Sequence, residues 1–181
     1  MIIGLTGRNA SGKGEAANYL KEKGFIYYSL SDVIREEATK RGLEHSRDIL
    51  IKLGNELREK HGAGYLAEQI NNKLKNKKNI NFVIDSIRSP FEAKELMKNR
   101  GFVLVGIYAP IGLRFKRLRE RNRLGDAKTL EDFKSQEQRE NLKSDTNQQL
   151  DATFGMAKKV IVNGGALEEL HKKIDGLLIE K

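Results

Sequence analysis

A lysine set between glycines, two Asp/Arg pairs each three residues apart, and arginines recurring at helical intervals are the residues of this chain with chemistry to offer. Residues 7–14 read Gly-Arg-Asn-Ala-Ser-Gly-Lys-Gly, after an apolar run from Met1 to Leu5 and before Ala16, Ala17 and Leu20 at helical spacing. Strand, glycine-rich loop, helix is the context of a phosphate-binding loop, and glycine, four residues, Gly-Lys is the P-loop spacing. Gly7 and Gly12 let successive N–H groups converge on phosphate oxygens at a helix N-terminus, and Lys13 adds a mobile positive charge. Gly14 stands where the pattern usually has Ser or Thr, so it offers no hydroxyl ligand to a metal. Gly7, Asn9, Ala10, Ser11, Gly12, Lys13, Gly14 and Glu15 are therefore the expected nucleotide-phosphate site. A plain glycine turn with a solvated lysine is the alternative; the preceding apolar strand weighs against it.

Asp85-Ser-Ile-Arg88 directly follows the buried-looking run Asn81 to Ile84, so Asp85 is expected to project into the same crevice as the loop. A carboxylate there can orient the water shell of Mg²⁺, and Arg88 can clamp a phosphate. Asp32 and Arg35 share a helix face, where one can accept a proton or hydrogen bond while the other holds an acceptor phosphate; an N-cap with an internal salt bridge is the competing reading. Arg114, Arg117 and Arg121 recur at three and four residues. Phosphoryl transfer needs positive charge where equatorial oxygens develop negative charge, and Arg117 and Arg121 lie nearest the polar break at Asn122 to Asp126. Arg119 and Arg123 are expected to face solvent.

These residues must be held by an alternation of strands and helices. Phe25 to Ser29 reads as a second strand. Ser31 and Asp32 suit an N-cap for a helix ending near Gly42, and two helices meet at the break His61 to Gly64. Pro90 starts a helix through about Asn99, Phe102 to Tyr108 is the strongest strand, and Ile111 to about Arg121 is helical. Thr129, with Asp132 three residues on, suits another N-cap; Val160 to Val162 and Leu167 to Ile179 form a last strand and helix. Such alternation predicts a parallel sheet with its ligand beyond the strands' carboxyl ends, where Gly7, Asp32, Asp85 and Ala109 all fall.

At 181 residues the chain is read as a single domain. It has no run of eighteen apolar residues and no secretory-type start, so a soluble, cytoplasmic protein without a membrane partner is expected. Cysteine is absent and the three histidines are scattered, so any metal should be oxygen-bound. The net charge of +9 attracts polyanions or phosphorylated small molecules. Neither dense basic cluster, Lys73 to Lys78 or Arg114 to Arg123, interleaves aromatics as a single-strand binding surface would, so a nucleic-acid partner is not favoured.

Together these segments resemble nucleoside monophosphate kinases. Lys13-Gly14 is similar to the loop of adenylate kinases; Asp32 and Arg35 match the ends of their Gly-Asp-x-Leu-Arg motif, and Asp85 and Arg88 match Asp-Gly-x-Pro-Arg with one residue fewer. The C-terminal half is similar to dephospho-coenzyme A kinases in Arg117-Leu-x-x-Arg121, Gln136 and the segment Ala157 to Leu170 that contains Asn163. Their Asp-x-Asp after strand 2 is missing, with Leu30 two residues before Asp32. The whole chain also resembles kinase-like domains that precede deoxycytidylate deaminase domains, through Ser29 to Arg35, Gly54 to Arg58 and Asp85 to Pro90.

The resemblance implies an α/β, three-layer P-loop NTPase fold: a central five-stranded parallel sheet with helices on both faces, a helical acceptor-binding insertion and a lid. Residues 1–33, 80–117 and 157–181 would form the core, 34–79 the acceptor-binding helices and 118–150 the lid region. It implies transfer of the ATP γ-phosphoryl group to a small nucleotide, with Lys13, Asp32, Arg88, Arg117 and Arg121 as catalytic residues. Asp32, Arg35, Asp85 and Arg88 would bind the acceptor, Asn163 the nucleotide donor, and Asp85 and Glu15 would hold Mg²⁺ through water. A monomer or homodimer is expected. Dephospho-coenzyme A kinase chemistry, a non-catalytic nucleotide sensor and a nucleic-acid 5′-end kinase are the alternatives.

Overall fold

In a computed structural model the described residues are 1–75, 77, 79–122, 126–139 and 148–179. Five strands, β1 (Ile2–Thr6), β2 (Ile26–Ser29), β3 (Phe82–Asp85), β4 (Phe102–Tyr108) and β5 (Lys159–Val162), form one sheet in the order β2-β3-β1-β4-β5. All four pairings are parallel, with Ile3 opposite both Val83 and Val103, and Ser29 opposite Asp85. The expected all-parallel sheet is therefore present.

Alternation of side chains along the strands separates the two faces. Ile3, Leu5, Val83, Val105, Ile107 and Ile161 pack with helices α1 (Lys13–Glu22) and, at the C-terminus, Leu167–Ile179, through Ala16, Ala17, Leu20, Leu170 and Ile174. Phe82, Ile84 and Leu104 face the other way, onto α2 (Leu30–Lys40), α3 (Arg47–His61), α4 (Tyr65–Leu74) and α5 (Pro90–Met97). That second layer is the thicker one, and it reaches past the sheet's carboxyl edge. A third cluster, Leu118, Ala127 and Phe133, joins α6 (Ile111–Arg121) to α7 (Leu130–Arg139), and Ala10 of the glycine-rich loop packs against it.

Most boundaries fall within a residue or two of the sequence expectation, and α6 matches it end to end. The cap of α2 differs. The helix starts at Leu30, and the N-cap is Ser29, whose side chain accepts from the N–H of Ser31, so Ser31 and Asp32 lie inside the first turn. A short helix that the sequence pattern does not predict, α8 (Leu150–Gly155), places its Phe154 ring above Gly106, where a Cβ would come within 2.7 Å of it. The terminal helix Leu167–Ile179 is α9. No described helix is long and apolar enough to cross a membrane.

Candidate functional site

The glycine-rich loop links β1 to α1, and its conformation depends on residues without side chains. Gly7 (φ 144°) and Gly12 (φ 103°) lie where L side chains are strained, and a Cβ on Gly7 would stand 2.3 Å from the Ile107 carbonyl oxygen. Lys13 folds back so that its Nζ donates to the carbonyls of Gly7 (2.8 Å) and Arg8 (3.0 Å), placing the ammonium over the loop. Ser11 is buried; among the described residues its Oγ, like Asn9 Nδ2, has no hydrogen-bond partner. Asn163, just past β5, donates through Nδ2 to the Ser11 carbonyl (2.9 Å), and Arg117 braces it at O (3.2 Å) and Oδ1 (3.3 Å). On the opposite side Arg8 is tied to Asp151 (2.7 Å) and Glu137 (3.2 Å), and buried Arg114 pairs with Glu137 and donates to the Asn9 carbonyl (3.1 Å).

The second structured segment runs from Asp85 to Ser89, between β3 and α5. Ser86 takes φ 64°, a conformation that costs a non-glycine residue roughly 1–2 kcal/mol and persists only where neighbours impose it. Here they do: Asp85 Oδ1 accepts the Ser86 N–H (2.6 Å), Thr6 Oγ1 donates to the Ile87 carbonyl (2.9 Å), and Gln149 N–H donates to the Arg88 carbonyl (2.8 Å). Burial, reinforced by the nearby Asp85 carboxylate, pushes the Tyr27 phenol up from its ordinary range.

Between this segment, the loop and the helices α2 to α4 lies a cavity of about 370 Å³. Gly7, Asn9 and Lys13 line its loop end, with Arg88, Arg121 and Asp126 among the other polar groups. Arg35, Arg47, Arg58 and His45 line its helical side, interleaved with apolar Ile34, Leu50, Ile51 and Leu66. Six cationic side chains around one acid make this a site for a small, strongly anionic ligand.

The expected site residues divide into four groups. Gly7, Asn9, Lys13, Arg35, Arg88 and Arg121 share the cavity lining; Arg121 also grips Asp126 (2.8 and 2.9 Å) and reaches Asn9 Oδ1 (3.2 Å). Ala10, Ser11, Gly12, Arg117 and Asn163 belong to the loop and its bracing, outside that lining. Asp32 and Asp85 do not line the cavity either: Asp32 is turned to Arg35 (2.8 Å) on the exposed face of α2, and Asp85 is engaged by the backbone of Ser86. Gly14 and Glu15 are exposed in the first turn of α1. Arg123 and residues 140–147 of the expected lid lie outside the described residues.

His45, Arg47, Arg58, Asp126 and Gln148 also line the cavity without being expected there from the sequence. Only Arg58 lies in a segment with a family resemblance, Gly54 to Arg58; the other four belong to no motif. A nucleotide's phosphates suit the loop, whose path against Ile107 and Asn163 has no room for a Cβ at Gly7 or Gly12 and whose N–H groups open the helix α1. Among the described residues no cluster of three His, Cys, Asp or Glu exists to hold a metal, and the two carboxylates expected to serve Mg²⁺ are placed elsewhere, Asp85 on the Ser86 N–H and Glu15 exposed on α1.

A parallel five-stranded sheet with helices on both faces and a Gly-Lys loop at its carboxyl edge defines a P-loop protein of the kinase-like α/β class. Residues 3–143 match the family model described as AAA domain. The chain is 36% identical to a UPF0200 protein of Pyrococcus abyssi, over 98% of its own length and 95% of the relative's. It belongs to the UPF0200 family. Among solved structures it is similar to TT1252 from Thermus thermophilus (TM-score 0.65, 22% identity, 99% of this chain and 97% of that one). It is also similar to shikimate kinase from Aquifex aeolicus (TM-score 0.54, 19% identity, both chains covered in full). At these identities the likeness is one of fold.

Proposed function

We propose that the protein is an ATP-dependent phosphotransferase that moves the γ-phosphoryl group of ATP to a small nucleotide acceptor. The observation that carries the reading is the one cavity whose lining brings Lys13 of the loop together with Arg35 of α2, Arg58 of α3, Arg88 and Arg121. The loop N–H groups and Lys13 hold the donor's β- and γ-phosphates, and Lys13 exchanges the two carbonyls it now contacts for phosphate oxygens. Arg88 and Arg35 fix the acceptor so that its nucleophilic oxygen lies in line with the γ-phosphorus. That oxygen forms the new P–O bond as the bond to the β–γ bridging oxygen breaks, and ADP leaves with that electron pair. Arg121 stabilises the charge on the moving group, and Asp32 keeps Arg35 oriented. Arg117 and Asn163 serve the donor side by fixing the loop. Mg²⁺, when bound with ATP, neutralises charge on the β- and γ-oxygens.

Helices α2 to α4 would form the acceptor cover, which excludes water as a competing acceptor. The test is ADP release from Mg-ATP across ribo- and deoxynucleoside monophosphates and dephospho-coenzyme A, with shikimate and gluconate as non-nucleotide acceptors and Lys13→Ala as the blank. Stimulation by a nucleotide, lost in Lys13→Ala, supports the proposal. Stimulation only by a non-nucleotide moves the acceptor class, and tight nucleotide binding with no turnover makes the protein a sensor.

A further inference from the structure

Glu92 is no part of the phosphate loop, yet it is fully enclosed and engages two of the cavity's arginines. Its Oε1 accepts from Arg58 Nε (3.0 Å) and Nη2 (2.8 Å), and its Oε2 accepts from the backbone N–H groups of Arg88 (2.9 Å) and Ser89 (3.1 Å). The capping box that starts α5 accounts for the Ser89 contact alone. The other three bonds tie an arginine on α3 and the backbone of another after β3 to one carboxylate.

Packing does not call for such an arrangement, because a buried ion pair is often no more stable than apolar residues of the same volume. What it accomplishes is orientation. With Nε and Nη2 held, the planar guanidinium of Arg58 has only Nη1 left to direct, and its contact there, Asn55 Oδ1 at 3.4 Å, is long. The neighbouring helix position is Gly54, where a Cβ would lie 3.3 Å from Nη1 and 2.9 Å from Ile34 Cδ1. Gly54 and Arg58 both line the cavity, and the missing side chain at 54 lets Ile34 and the Arg58 guanidinium close up on that wall without displacing Nη1.

We propose that Glu92 is a positioning residue that presents Arg58 Nη1, together with Arg88, to a phosphate group of the acceptor, making Arg58 an acceptor-binding residue. This rests on the kinase reading for the identity of the ligand. Arg58 supplies a fixed donor and Arg88 an adaptable one, whose Nη1 now rests on the neutral amide of Gln148 (3.1 Å) and can be transferred to a phosphate without breaking an ion pair.

The experiment compares wild type with Glu92→Gln, Arg58→Lys and the double variant Arg58→Met/Glu92→Gln, which leaves no lone buried charge. Steady-state kinetics with the acceptor found above, thermal unfolding, and calorimetric binding of nucleoside monophosphates without ATP are measured on each. The acceptor KM and the monophosphate Kd should rise on the order of tenfold or more in all three variants, while the KM for ATP stays within about twofold. The double variant should unfold near the wild-type temperature and still show the acceptor defect, a split that a purely structural pair would not give. Turnover with an unchanged acceptor KM in the folded variants overturns the inference and leaves the kinase reading standing. Monophosphate binding that is weakened in the variants, with no turnover in wild type, supports the inference and overturns the kinase. Absence of monophosphate binding by wild type overturns the inference.

Discussion

Replacing Gly12 by alanine tests the loop at the point where two constraints meet. Its φ of 103° lies beyond the small left-handed region open to other residues, so the new side chain costs roughly 1–2 kcal/mol in the backbone. The added Cβ would also stand 2.1 Å from Asn163 Nδ2, far inside contact distance, and must displace that amide from the Ser11 carbonyl it now bonds at 2.9 Å. Losing one such buried bond costs about 1–2 kcal/mol. The sum, roughly 2–4 kcal/mol, corresponds in a chain of this size to a fall in Tm of about 5–15 °C, and ATP affinity should drop with it because the same carbonyl frames the cradle. Gly14→Ala is the matched control: nothing lies within 4 Å of its Cβ and it needs no positive φ, so it should be neutral or slightly stabilising. In an Asn163→Ala background Gly12→Ala should cost only the backbone part, which a double-mutant cycle by calorimetry resolves. A Gly12→Ala protein within about 2 °C of wild type, or a cycle with no coupling, would refute this account of the loop.

Arg117→Ala removes the brace on Asn163 and should raise the KM for ATP by about tenfold while sparing the acceptor KM; a loss confined to kcat would return Arg117 to the moving phosphoryl group. Asp126→Asn releases Arg121 from its two-bond grip and should tighten ATP or acceptor binding severalfold by calorimetry, whereas weaker binding would make Asp126 a support for Arg121. Away from the cavity, hydrogen bonds that Lys23 makes to Asp175 and then Tyr19 push it up to about 12, and Lys23 holds the Asp175 carboxyl below its usual range. The pair's contribution to stability is complete between the ordinary carboxylate and lysine ranges. It is lost as pH rises through about 12 and, on the acid side, as pH falls through the lowered Asp175 value. NMR titration of Asp175→Asn should return Lys23 to near 10.5, and a lysine still titrating near 12 would show that another group holds it.

The phosphate loop was legible because its chemistry is local: eight consecutive residues set both the backbone and the charge. The strands were legible for a similar reason, since Phe102 to Tyr108 is apolar on both faces and can only be a buried strand. Arg58 was not. On α3 the apolar positions Leu53 and Leu57 are read correctly, and by the same periodicity the next residue along should be at the edge of solvent. It is buried only because α5, 34 residues on, sends Glu92 to meet it. His45, Arg47 and Gln148 reach the cavity in the same way, through the fold of distant segments.

The two acids expected in the crevice fail for an instructive reason. Position at a strand's carboxyl end fixes where the Cα lies; which way a short carboxylate turns is decided by the nearest donor. For Asp85 that donor is the Ser86 N–H, presented by a strained residue, and for Asp32 it is Arg35, one helical turn on. The cavity is thus left almost wholly cationic, while the acids that balance its arginines stand mostly behind them: Asp32 for Arg35 and Glu92 for Arg58, with Asp126 beside Arg121 in the lining. Such an arrangement holds several like charges close together with only Asp126 of their counter-ions in the lining. Of the cationic groups there, Arg88 is one that would give up only a neutral amide to take a phosphate. On the proposed phosphotransferase reading, selectivity among acceptors would fall to the apolar wall of Ile34, Leu50, Ile51 and Leu66, which contributes shape and no charge.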